Sequence, residues 1–154
     1  MILETNRFET LPLNPDGIPG ELKAIPRWLL WRLEDRAGKP TKTPYQVSGA
    51  LAKVNDPATW SDFDTILTAY LRGGWSGIGI VLTDDDDLVG VDLDKVLNPD
   101  TGELDPEASR IVADLPTYCE VSPAGAVCVC SDSGNFHREG GARGTSKCTS
   151  QGAI

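Results

Sequence analysis

The chain has 154 residues, of which 40% are hydrophobic and 24% charged, with a formal net charge of -9 at pH 7. That length suits one domain with its own core rather than two, and the composition excludes wholesale disorder. Such an acidic balance also excludes nucleic-acid binding through a uniformly positive surface, although a local basic strip beside cation-holding acids remains compatible with it.

The opening MILETNRFETLPLNPDG carries early acids and no sustained apolar stretch, so it is not expected to act as a signal peptide. No apolar run approaches the ~20 residues needed to span a bilayer. The expectation is a cytoplasmic protein with no membrane partner.

Residues 1–17 form a loose Pro/Gly/Asn-rich lead-in, and residues 21–25 suit a short helical turn. WLLWRLE at 28–34 is aromatic and apolar enough for a strand. RAGKPTKTP at 36–44 predicts a basic turn, with a second strand beginning at Tyr45. Thr59 or Ser61 is the expected cap of a helix whose apolar positions Phe63, Ile66, Leu67, Tyr70 and Leu71 recur at helical spacing, ending at Gly73-Gly74. GIGIVL at 77–82 and LVGVDL at 88–93 predict two strands joined by a hairpin turn over 83–87. Asp105 caps and Pro106 starts the next expected helix, through about Leu115. TYCEV at 117–121 predicts a further core strand, turned by Ser122-Pro123-Ala124-Gly125. This order of elements predicts an α+β sheet domain.

Chemistry concentrates in Gly90-Val91-Asp92-Leu93-Asp94. Strand period two puts Asp92 and Asp94 on one face, where like charges repel unless a cation lies between them. Hard oxygen ligands of this kind suit Mg²⁺ or Mn²⁺ bridging to phosphates, as two-metal phosphoryl transfer requires. The plainer alternative is two solvated acids at a strand end, and a metal-dependent nuclease would use the same pair. A calcium loop starting at Asp92 is disfavoured, because Val96 and Leu97 stand where an oxygen ligand and a glycine belong. The run Asp84-Asp85-Asp86-Asp87 suits a solvated, self-repelling tip. Lys39, Lys42 and Tyr45 are candidates for contacting a triphosphate or a template backbone, against the alternative of surface lysines in a hairpin. The four tryptophans are expected to pack rather than to stack bases. Cys119, Cys128, Cys130 and Cys148 show no Cys-x-x-Cys spacing and are expected to be reduced thiols, a zinc site with His137 being the remote alternative.

Two longer stretches carry a resemblance. PGELKAIPRWLLWRLEDRAGKPTKTPY, followed in order by the stretch from DPATW through TYCEVSPAG, resembles the primase–polymerase domain of bifunctional phage and plasmid replication proteins, in the archaeo-eukaryotic primase superfamily. The likeness covers residues 18–125. It implies an RRM-like α+β catalytic core that makes and extends primers from nucleoside triphosphates on a single-stranded DNA template, with Mg²⁺ or Mn²⁺ and often beside a replicative helicase. Asp92 and Asp94 match the family's metal-binding catalytic pair. Ser122 to Gly125 match its nucleotide-binding Ser-Pro-x-Gly turn, and Lys42 is placed to neutralise phosphate charge.

The family pattern continues into a strand with His or Arg and a third acid in a Glu-Val-Tyr context. Here AVCVC follows Gly125. Read one base back, residues 126–131 are able to encode GLRVF and residues 145–148 IEVY. Residues 126–154 are therefore expected to be a divergent tail, disordered or frameshifted, leaving an incomplete core with impaired activity. A non-catalytic remnant that binds single-stranded DNA or a replication partner is the alternative.

Overall fold

The computed structural model describes residues 12–85, 88–98, 100–114, 118–122 and 125–131. A 3-10 turn at Pro15–Gly17, capped by the Asn14 side chain, leads into the short helix α1 (Gly20–Lys23), and a second 3-10 turn lies at Pro57–Thr59. Seven further helices and strands follow: β1 (Trp28–Arg36), β2 (Lys39–Tyr45), α2 (Phe63–Leu71), β3 (Gly77–Ile80), β4 (Leu88–Asp94), α3 (Pro106–Asp114) and β5 (Tyr118–Ser122). An eighth, β6 (Gly125–Ser131), follows them. The α+β class is as expected, built on two antiparallel three-stranded sheets ordered β2-β1-β3 and β4-β6-β5.

The first sheet holds the main core. β1 is its central strand, and its first four residues, Trp28 to Trp31, are all buried. Covering both faces of a central strand explains why WLLW lacks alternation. Phe63, Ile66 and Ala69 of α2 pack against Trp28, Leu30, Ile78 and Ile80, joined by Ile18 and Leu22 from the lead-in and α1. Trp28 and Phe63 meet edge to face, with ring centroids 5.1 Å apart. Both buried indoles of β1 find acceptors, Trp28 Nε1 donating to Leu22 O at 3.2 Å and Trp31 Nε1 to Ile78 O at 2.9 Å.

Three details differ from the sequence expectations. Residues 39–44 are not a turn. They form most of β2, paired with β1 from Arg36↔Lys39 to Leu30↔Tyr45. The turn is only Ala37-Gly38, both at positive φ (55° and 80°), the backbone that a two-residue hairpin requires. Two prolines survive in β2 because it lies at the sheet's edge, where a missing N–H costs little. The cap of α2 is Asp62, whose carboxylate accepts from Thr65 N and Thr65 Oγ1, both at 2.8 Å. Thr59 instead serves the preceding loop through Lys53.

The third difference bears on the site. β3 and β4 do not form a hairpin. β3 pairs with β1, while β4 pairs along its whole length with β6, from Leu88↔Ser131 to Asp94↔Gly125. A full-length ladder outweighs the short one that β3 would offer, and a tight hairpin tip of four aspartates would repel itself. The connection therefore carries the chain from one sheet to the other.

In the second sheet, α3 covers one face: Val112 and Cys119 are buried there with Val91, Leu93 and Leu104 around them. Asp105 caps α3 as expected, accepting from Ala108 N at 2.7 Å. Tyr118 belongs instead to the main core, so the two sheets share it. Residues 126–131, expected to open a tail, belong with Gly125 to the central strand of this sheet. A run with Val127 and Val129 suits a strand flanked on both sides. The rest of that tail, with His137 and Cys148, lies outside the described residues. Cys119 is disulfide-bonded, against the expectation of reduced thiols, and the register sets it opposite Cys128. Among the described residues no helix is long and apolar enough to cross a membrane.

Candidate functional site

β4 delivers the acids. Its alternation sends Val91 and Leu93 toward α3, so Gly90, Asp92 and Asp94 belong to the opposite face. A Cβ added at Gly90 would stand 3.0 Å from Leu82 Cδ1. That closeness shows this face turned toward the end of the first sheet. Asp92 is exposed. Asp94 is the last residue of β4, and the chain leaves the strand through Lys95 at φ 57°. By backbone alternation Asp92 and Asp94 share one face of β4 at its C-terminal end.

β2 delivers the cation. Lys42 is partly buried, with Nζ 4.5 Å from the centroid of the Trp31 ring. Burial pulls its pKa below the usual lysine value, and the carboxylates of Glu120 and Asp92 push it back up. The lysine also lines a cavity of about 300 Å³, walled by Leu29, Trp31, Pro44, Gly79 and Val81. The Leu82 side chain that Gly90 of β4 approaches lines the same cavity as Lys42, so β2 and β4 draw together there.

Glu120 was missed in the sequence, where it is one letter in an apolar strand. It is fully buried, at 0% exposure, and accepts a hydrogen bond of 2.8 Å from Tyr118 Oη. Its register partner on β6 is Val127, which on the other side pairs with Asp92. Glu120 and Asp92 thus occupy one row across the sheet, either side of a single strand. The available signal was period two: Tyr118, Glu120 and Ser122 share a face of β5.

Ser122 and Gly125 pair with each other where β5 passes to β6, and Gly125 also pairs with Asp94. The backbone of the expected nucleotide-binding turn therefore adjoins the end of the acid-bearing strand. Lys39, by contrast, sits exposed at the hairpin tip beside Arg36. Tyr45 faces elsewhere, bonded to Glu34 and tilted against Trp75 with Arg32 over both rings. The structure does not gather Tyr45 with Lys42. Among the described residues no group of three or more His, Cys, Asp or Glu is placed to hold a metal ion. The donor chemistry of Asp92 and Asp94 suits a hard divalent cation.

An α+β domain with strand-borne acids across from a recessed lysine has the make-up of proteins that handle polyphosphates. The comparison with known proteins narrows the class. The chain is 34% identical over 108 residues to the DNA primase-polymerase of Nitratiruptor phage NrS-1, a match covering 68% of this chain and 14% of that protein. It belongs to the primase–polymerase family, as the motifs at residues 18–125 implied. The matched region is a small part of the relative's length. No protein-family model matches the chain.

Proposed function

We propose that this chain carries the nucleotide-facing part of a DNA primase–polymerase, with Asp92 and Asp94 as the catalytic carboxylates and Lys42, Ser122 and Gly125 around the incoming nucleoside triphosphate. The observation that carries this reading is the approach of β4 to β2: Gly90, on the Asp92 face of β4, comes against the Leu82 side chain, which lines the same cavity as Lys42. Asp92 and Asp94 would hold Mg²⁺ or Mn²⁺, which when bound neutralises triphosphate charge and lowers the barrier to attack on the α-phosphate. Lys42 supplies a fixed positive charge to the same phosphates, recessed enough to act at low dielectric. The apolar cavity beside it suits the non-polar part of a nucleotide, with charge at one end only. The Ser122–Gly125 turn would orient the triphosphate next to Asp94. A single-stranded DNA template, and a replicative helicase elsewhere in such a protein, are the partners this reading implies.

The same reading predicts impairment. The family pattern supplies a third acid after Gly125, and residues 126–154 as written hold no Glu-Val-Tyr context. Two carboxylates leave a cation under-coordinated. Nucleotide binding should therefore persist while primer extension is weak or missing. Titration of the chain with dATP and Mn²⁺, followed by intrinsic tryptophan fluorescence, tests the first half. Primed single-stranded DNA with all four deoxynucleoside triphosphates tests the second. Saturable dATP binding that needs Mn²⁺ and is lost in Asp92→Asn is expected. Salt-dependent binding of single-stranded DNA without any dATP binding would replace this reading with that of a non-catalytic DNA-binding remnant. DNA degradation with Mg²⁺ alone would replace it with a nuclease.

A further inference from the structure

The cavity of about 300 Å³ beside Lys42 opens on the first sheet at a point where a side chain is missing. β3 reads GIGI, and its two kinds of residue face opposite ways. Ile78 and Ile80 are buried in the main core with α2. Gly77 and Gly79 therefore belong to the other face, beside their register partners Trp31 and Leu29 of β1. The two glycines differ in what lies over them. Trp31 reaches across to β3, its indole donating to Ile78 O at 2.9 Å, and Gly77 is buried. Gly79 is the one residue of β3 that stays partly exposed, and it lines the cavity with Leu29, Trp31, Pro44 and Val81. Val81, on the same face two residues later, carries a branched side chain and is buried against Leu29 and Ala52. A glycine inside a strand weakens it and packs nothing, and such glycines mark places where a ligand or another backbone comes close.

We infer that Gly79 sets the size of what the cavity admits: the nucleoside part of a triphosphate lies against the bare backbone of Gly79, while the phosphates stay at the mouth with Lys42 and Asp92. This rests on the proposed nucleotide site and adds the residue that determines its steric selectivity. Among the described residues that line the cavity, Lys42 alone is charged, so the walls offer contact area to a flat ring and charge at one end only. The volume lies at the small end of the range for ligand pockets, which leaves little slack for a side chain at position 79. Leu82 ties the two ends together. It lines the cavity, and Gly90, on the Asp92 face of β4, comes against its side chain. A β-carbon at position 79 would stand on the cavity face, beside Leu29.

The test compares dATP with inorganic tripolyphosphate, which keeps the phosphates and lacks the nucleoside. Each is titrated with Mn²⁺ into the full chain, into Gly79→Ala and into Gly79→Val, and affinity is read by calorimetry. The wild-type chain should bind dATP more tightly than tripolyphosphate. Gly79→Ala should weaken dATP about tenfold and Gly79→Val about a hundredfold, the effect of methyl groups crowding a fitted apolar pocket. Tripolyphosphate affinity should be unchanged in both variants. Thermal melts should show Gly79→Ala at least as stable as the wild type, because glycine is the poorer strand residue. Its single added methyl keeps the test valid if the valine variant does not fold. Unchanged dATP affinity in the variants overturns the inference and leaves the nucleotide site standing. So does a wild-type chain that binds tripolyphosphate as tightly as dATP. A loss for tripolyphosphate that parallels the loss for dATP also overturns it, because the substitution has then damaged the site as a whole. No dATP binding by the wild-type chain removes the nucleotide reading itself, and this inference with it.

Discussion

The two sheets divide the labour of the molecule. In the first, the central strand is buried on both faces, an amphipathic helix closes one side, and the indole donors have acceptors. In the second, α3 leaves Val89 near the start of β4 54% exposed on the face it packs against, and Asp92 on the opposite face is open to solvent. Buried apolar side chains are concentrated in the first sheet, and the candidate carboxylates stand on the second. The contact between them runs through Tyr118, Leu88 and the approach of Gly90 to Leu82. A site placed where a stable sheet meets an open one gains a rigid wall and a reachable ligand face together.

The largest effect expected from this contrast is on the first sheet. Leu30 is fully buried, so Leu30→Ala should cost roughly 2–5 kcal/mol of unfolding free energy in urea melts. A loss below about 1 kcal/mol would show that the core lies elsewhere. The opposite profile belongs to Asp92→Asn. Its exposed carboxylate contributes little to folding, so stability should stay within about 0.5 kcal/mol. Affinity for dATP with Mn²⁺ should nonetheless fall by more than the ~10–100-fold typical of losing an outer partner of a metal ligand. A variant that unfolds instead would erase the distinction between the sheets.

Smaller effects sharpen the account of how the first sheet is built. Ala37 holds a φ of 55° in the β1–β2 turn, a conformation that disfavours any side chain. Ala37→Gly should raise stability by up to about 1 kcal/mol and leave nucleotide binding alone. Destabilisation would mean that the turn differs from a two-residue hairpin. The smallest effect is electrostatic. Hydrogen bonds from the Thr65 backbone N–H and then its hydroxyl hold the Asp62 carboxyl below the usual carboxylate range. A depressed folded pKa means this stabilisation is present above the unfolded value, near 3.9 for Asp, and is lost as pH falls through the folded value. Asp62→Asn keeps a competent cap and should flatten the acid limb of thermal melts. An unchanged acid limb would remove Asp62 from the account of α2.

Much of this was legible in the chain. Helical spacing at Phe63, Ile66 and Tyr70, the Asp105-Pro106 start signal and the apolar runs at 28–31 and 77–80 all depend on local pattern, and each formed the expected element type. The ladder partners were not legible. LVGVDL carries the same alternation whether it pairs with its neighbour β3 or with the more distant β6, because period two fixes faces and not partners. The basic stretch at 39–44 was misjudged because two prolines suggest a turn, and only its place at an edge makes them tolerable in a strand.

The paired acids at 92 and 94 were set by sequence alone, because alternate residues of a strand share a face wherever that strand lies. The family likeness was also readable there, carried by motifs in order. The tertiary structure alone decided that β2, with Lys42, and β4, with those acids, meet at the Leu82 side chain, and that Glu120 on β5 lies buried in the Asp92 row. Those residues are far apart in the chain, and their proximity follows from which strands pair and which sheet edges meet. Burial and long-range pairing are properties of the packed chain, and no short window of residues encodes them.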